Sequence, residues 1–146
     1  MLASGYMGRN YQFANKVEER NLEARQAELD LDLQKAIKLY EQNIKEDYAD
    51  EFAFDRLMII YRRQKEYEKE LRVLSRGIEL FQQDMNEHLK HALRHRIDEK
   101  TLEQLSNAII KKAGLKEKEL YYPDPVNRWM KRKLFVEQKL KGKLIN

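Results

Sequence analysis

Apolar residues recur every three or four positions along most of this chain, and the recurrence is interrupted at short polar stretches. That period belongs to amphipathic helices. Residues 1–16 read as a loose or partly helical arm. From Val17 to Leu29 a highly charged helical segment carries Leu22, Ala24 and Ala27 as its apolar set. Asp32 follows as a helix cap, because a short carboxylate accepts hydrogen bonds from the free N–H groups at a helix start. The helix it opens carries Leu33, Ala36, Ile37, Tyr40 and Ile44. The polar stretch 45–50 predicts a turn. A third helix places Phe54, Leu57, Met58 and Tyr61 on one face. Residues 62–66 form the next turn, and Tyr67, Leu71, Leu74 and Ile78 mark a fourth helix.

Beyond Phe81, Leu89, Ala92, Leu93 and Ile97 suggest a separate helix. Thr101 with Gln104 is a capping-box pattern for another, which carries Leu105, Ile109 and Ala113 and stops at Gly114. Tyr121-Tyr122-Pro123-Asp124-Pro125 is the sharpest break in the chain. Asp124 is suited to cap a last helix with Pro125 at its first helical position, and Gly142 lies just past the expected end near Lys141.

The second and fourth helices superimpose in sequence at a shift of 34. Ala36 meets Glu70, Ile37 meets Leu71, Leu39 meets Val73, Tyr40 meets Leu74, Asn43 meets Gly77 and Ile44 meets Ile78. All pairs but Ala36/Glu70 keep size class or apolar character. A period of this length holding two helices is that of a helical solenoid unit. Within it, Phe54-x-x-Leu57-Met58-x-x-Tyr61 has the spacing of the first helix of the tetratricopeptide motif, and Ala36-x-x-x-Tyr40 resembles its second helix. The chain therefore resembles a tetratricopeptide-repeat protein. The likeness covers about 17–84 and reaches 85–113 only with a shift of 35. Met58 stands where the motif has a small residue and Glu70 where it has alanine, which predicts looser or reangled helix pairs. No proline closes a unit.

The resemblance implies an all-α solenoid of two to three antiparallel helix pairs with a C-terminal capping helix. Its divisions are an arm at 1–16, a repeat domain at 17–118 (units about 17–50, 51–84 and a degenerate 85–118), and a proline-delimited loop with a basic helix at 119–146. It also implies a concave groove lined by the first helix of each pair. Phe52, Asp55, Ile59, Arg62 and Arg63 would face that groove and receive a peptide or partner helix. Asp55 and Ile59 occupy the places where the family's chaperone-tail clamp needs Lys and Asn, so that particular activity is not expected.

Composition supports helices and adds an electrostatic feature. Gly (5) and Pro (2) are scarce, and 37% of residues are charged against 42% hydrophobic, too apolar for a disordered chain. With no cysteine, disulfides and thiolate metal sites are excluded and a reducing compartment is allowed. No apolar run is long enough to span a bilayer, and no secretion signal is legible, so a cytoplasmic location is the expectation. Net charge is +4, yet residues 126–146 alone hold seven Lys/Arg and one Glu, a local +6, which leaves −2 elsewhere. On a helical wheel Arg128, Lys131, Arg132 and Lys139 form one stripe with Phe135, opposite Val126, Trp129, Met130, Leu134, Val136 and Leu140. Such a helix caps the repeats, offers an anionic contact, or does both. His88, His91 and His95 share one side of a helix at metal-ligand spacing, although a partly exposed polar edge is the simpler explanation.

No phosphate loop, nucleophile elbow or thiol nucleophile is present, so no catalytic residues and no cofactor are expected. The functional expectation is a protein-binding adaptor. The alternatives are a nucleic-acid-associated factor acting through the last helix, and a structural subunit of a homo- or hetero-oligomer.

Overall fold

The structure is a computed structural model and describes residues 2–46, 48–93, 98, 100, 101, 103, 104, 107 and 122–145. The described residues form an all-helical fold. Five helices have continuous bounds: α1 (Leu2–Leu29), α2 (Leu33–Lys45), α3 (Glu51–Arg63), α4 (Tyr67–Leu93) and α5 (Val126–Ile145). Each of the first four packs on its neighbour in the chain, and α5 packs on α4.

Local chemistry sets most of the boundaries. Asp32 accepts a hydrogen bond from the Lys35 N–H at the start of α2, as expected, and Asp50 does the same for Ala53 at the start of α3. The two hairpin turns, α1–α2 and α3–α4, repeat bond for bond at a shift of 34. Asp32 N–H donates to Ala27 O (2.8 Å) and Glu66 N–H to Tyr61 O (2.9 Å). Leu31 N–H donates to Glu28 O and Lys65 N–H to Arg62 O, both at 3.1 Å. These are the paired bonds of a helix end closed by a left-handed residue. That residue is Leu31 in one turn (φ 61°) and Lys65 in the other (φ 58°), where glycine is the usual choice. Ala36 N–H to Asp32 O and Glu70 N–H to Glu66 O then open the second helix of each hairpin.

Burial follows the same shift. Ala36 and Glu70, Tyr40 and Leu74, Asn43 and Gly77, and Ile44 and Ile78 are buried in pairs, and Ile37 and Leu71 are both half-buried. On the first helices Ala24 matches Met58 and Ala27 matches Tyr61, all buried. The centre of the core is α3, which encloses Ala53, Phe54, Leu57, Met58, Ile60 and Tyr61. Full burial of a side chain such as Phe54 or Leu57 contributes roughly 1.5–3 kcal/mol.

Several expectations are corrected. The arm at 1–16 is not loose: α1 is helical from Leu2, because Gly5 and Gly8 weaken a helix by only about 1 kcal/mol each and no proline intervenes. Leu22 points away from the core, and Asn21 takes the buried position beside it. No turn follows Phe81. The helix continues to Leu93 through good helix formers, so 85–93 extends α4 rather than opening a third unit. Asp98, not Thr101, caps the next helical residues by accepting the Thr101 N–H at 2.6 Å; hydrogen bonding from the Thr101 side chain, and then from this N–H, holds its exposed carboxyl below the usual range. Ile97, Leu105, Ile109, Ala113 and Gly114 lie outside the described residues. At the last helix Asp124 does accept a backbone bond, from Arg128 N–H at 3.1 Å. Gly142 sits inside α5 with open space around it, so the helix runs on to Ile145.

Candidate partner-binding surface

Three carboxylates bind the helices to one another, and each accepts one aromatic donor and one guanidinium. Glu28 on α1 accepts from the Tyr40 hydroxyl on α2 (2.7 Å) and from Arg56 on α3 (2.5 and 3.1 Å). Glu41 on α2 accepts from the Tyr61 hydroxyl on α3 (2.6 Å) and from Arg72 on α4. Asp55 on α3 accepts from Trp129 Nε1 (2.8 Å) and Arg128 (2.5 Å), both on α5. Burial pushes the Glu28 carboxyl up, but the hydrogen bonds from Arg56 and Tyr40 outweigh it and hold the group below its ordinary value. Burial, then the bond to its carboxylate, raises each of the Tyr40 and Tyr61 phenols. Glu28 therefore stays ionised and the two phenols stay protonated near neutral pH, so these clusters orient helices rather than move protons.

A second polar network ties α1 to α2. Asn43 donates to Val17 O (3.0 Å) and Asn21 Oδ1 (2.8 Å), and Asn21 donates to Asp50 (2.7 Å) at the cap of α3. Arg20 reaches both Asn43 and Glu46. Buried Asn43 thus meets its hydrogen-bonding needs on α1 while Asn21 carries the network on to α3.

The most elaborate surface is the seat of α5. Trp129 lies edge-on to Phe81 (centroids 5.0 Å apart, 88°) and against Phe54 at 5.8 Å. Gly77 makes the room: a Cβ there would stand 3.0 Å from Phe54 and 3.1 Å from Trp129. On either side of this slot α5 meets acids. Arg128 bonds Asp55 and Glu51, and Arg132 spans Glu70 with Nε–Oε1 at 2.7 Å and Nη2–Oε2 at 3.2 Å. Glu70 is 0% exposed and also receives Arg62 Nε at 3.2 Å. The misfit acid of the sequence is therefore a buried carboxylate held by two guanidinium groups, one of them bidentate.

The other sites expected from the sequence are spread out. Of the groove set, Phe52 is 42% exposed and edge-on to Tyr40 at 6.1 Å, Ile59 is half-buried, and Arg63 is exposed. Asp55 is engaged by α5, and Arg62 by Glu70. Of the basic stripe, only Lys131 and Lys139 face outward. Arg128 and Arg132 sit at the margin of the buried face and turn in to the acids of α3 and α4. Leu134 faces solvent at 62% exposure, not the core, and Phe135 is covered by Arg132 at 4.6 Å and Lys139 at 5.4 Å. His88 and His91 are exposed; His88 Nδ1 lies 2.8 Å from Asp84 O, and His95 is outside the described residues. Among the described residues no group of three or more His, Cys, Asp or Glu has the geometry to hold a metal ion, and no helix is long and apolar enough to cross a membrane.

The carboxylate clusters are invisible to periodicity, because their members lie 12 to 74 residues apart. One signal does exist in the sequence: a tyrosine on an apolar stripe needs an acceptor for its hydroxyl. Tyr40 and Tyr61 both lie on such stripes. Comparison with protein-family models, with curated proteins and with solved structures gives no match.

Proposed function

We propose that this chain is a tetratricopeptide-like repeat scaffold that binds a protein partner, either a peptide or a helix. The observation that carries the reading is the pair of hairpin turns repeated bond for bond at 34 residues. Such units stack side by side and serve recognition through an extended face. The accessible part of the groove is Phe52, Ile59 and Arg63, an apolar strip ending in a guanidinium suited to a carboxylate. Asp55 belongs instead to the contact with α5, which caps the stack. A nucleic-acid role for α5 is the weaker reading, since Arg128 and Arg132 are spent on internal acids.

A photo-crosslinking residue at position 59, compared with one at Glu79, tests this. The expected outcome is a discrete adduct with a protein from native extract at position 59 only, abolished by Arg63→Glu while helicity is unchanged. Equal labelling at both positions, or an adduct indifferent to Arg63→Glu, would overturn it.

A further inference from the structure

The face of α1 turned away from α2 carries an unusual set of residues. Leu22 is 68% exposed and Leu29 63%, and Asn15, Glu18 and Arg25 are exposed beside them. The spacings 15, 18, 22, 25, 29 alternate three and four, so all five share one stripe of the helix. The buried residues Val17, Asn21, Ala24 and Ala27 lie on the other side. No described element covers the stripe.

The stripe is complementary to itself when reversed. About a two-fold axis at Leu22, an antiparallel copy brings Leu22 against Leu22. Leu29 of each copy then falls level with Asn15 of the other, next to Ala14, where short side chains leave room for a longer one. The charges match as well. The same operation brings Glu18 to Arg25 and Arg25 to Glu18 within about one residue's rise of 1.5 Å. On the opposite margin it brings the Asn15 carboxamide, a donor, to the exposed carboxylate of Asp30 at a similar offset. Arg25 is available for its part, because its internal contact with Glu28 is long at 3.5 Å and its side chain is 45% exposed. A parallel copy would instead set Glu18 level with Glu18 of its partner and Arg25 level with Arg25. Reciprocal contacts of this kind suit a two-fold dimer, and the like-charge repulsion of the parallel arrangement selects against it.

We propose that α1 is an antiparallel homodimer interface, occupied by α1 of a second copy of this chain and centred on Leu22. At the shift of 34, Glu18, Arg25 and Leu29 are the counterparts of Phe52, Ile59 and Arg63, so the stripe is the α1 part of the same repeat face; the tests below probe α1 alone, so their failure is distinct from failure of the crosslink at position 59.

The chain has no cysteine, so a single introduced thiol reports on one position. Leu22, Leu29 and Asn15 lie outside the core, and circular dichroism checks that each variant remains folded. Under mild oxidation Leu22→Cys alone is expected to form a disulfide dimer. Leu29→Cys alone and Asn15→Cys alone are expected to stay monomeric, while their mixture links. Leu134→Cys, exposed on α5, is the control for random collision and is expected not to link. Sedimentation equilibrium of the unmodified chain is expected to show a monomer–dimer equilibrium that Leu22→Glu weakens about tenfold or more. Arg25→Glu is expected to weaken it as well, and Glu18→Arg added to that variant to restore it. Self-linking of Leu29→Cys would indicate a parallel pair and overturn the proposal. So would a chain that is monomeric at every concentration and whose Leu22→Cys variant links no faster than the control; the stripe would then serve a different partner.

Discussion

In the α1–α2 hairpin position 36 is an alanine enclosed on every side; in the α3–α4 hairpin the equivalent position is Glu70, equally enclosed. The backbones around them match turn for turn, and the surroundings differ. Ala36 is joined in the core by the small residues Ala24 and Ala27, whereas Glu70 stands with Met58 and Tyr61 and reaches Arg132 of α5. Asn43 and Gly77 form a second such pair. Asn43 satisfies itself against α1, and Gly77 clears a slot for Trp129. One helix-pair frame thus accepts two interiors: the first closes on itself, and the second is fitted to a helix that arrives more than thirty residues later in the chain.

The sharpest way to break the comparison is to give the first hairpin the acid of the second. Ala36→Glu buries a carboxylate in a hairpin where the acid Glu28 stands in the place of Arg62, and is expected to cost roughly 3–5 kcal/mol or prevent folding, read by urea denaturation. Next in size is Glu28→Gln, which removes the charge that Tyr40 and Arg56 hold between α1 and α3. A loss of about 2 kcal/mol at neutral pH is expected. The native Glu28 carboxyl lies below its ordinary value of 4.5, so its contribution is present above that pH and is lost as pH falls through the native value. The variant should therefore show a shallower decline in stability below about pH 4.5. Gly77→Ala should cost about 1 kcal/mol, because crowding against Phe54 and Trp129 exceeds the gain in helix propensity. Smallest of all, Leu31→Gly and Lys65→Gly should each stabilise by about 0.5 kcal/mol, relief of the left-handed backbone being partly cancelled by glycine's entropy. Similar values at both positions would support the equivalence of the turns.

Much of the frame is legible in the chain. Asp32, the stripe Phe54-Leu57-Met58-Tyr61 and the shift of 34 are local or periodic signals, and they reappear as a cap, a buried face and a pair of matching turns. What escapes the sequence are the polar interiors. Apolar periodicity turns Leu22 inward and passes over Asn21, since it carries no information about a side chain buried through hydrogen bonds to Asn43 and Asp50. Arg128 and Arg132 read as part of an outward stripe because their acids, Asp55 and Glu70, come from other helices. Glu70 itself stands out as a misfit in the repeat, and the misfit marks the contact with α5 that no local pattern reveals.

A double-mutant cycle between Glu70 and Arg132 tests most directly whether the second hairpin is built around α5. Arg132→Ala alone strips a buried carboxylate of its bidentate partner, and Glu70→Ala alone strands a half-buried guanidinium. The double variant removes both charges. A coupling energy of about 2–3 kcal/mol is expected in urea denaturation, with the double variant costing clearly less than the sum of the singles. Additive losses, with coupling near zero, would contradict it.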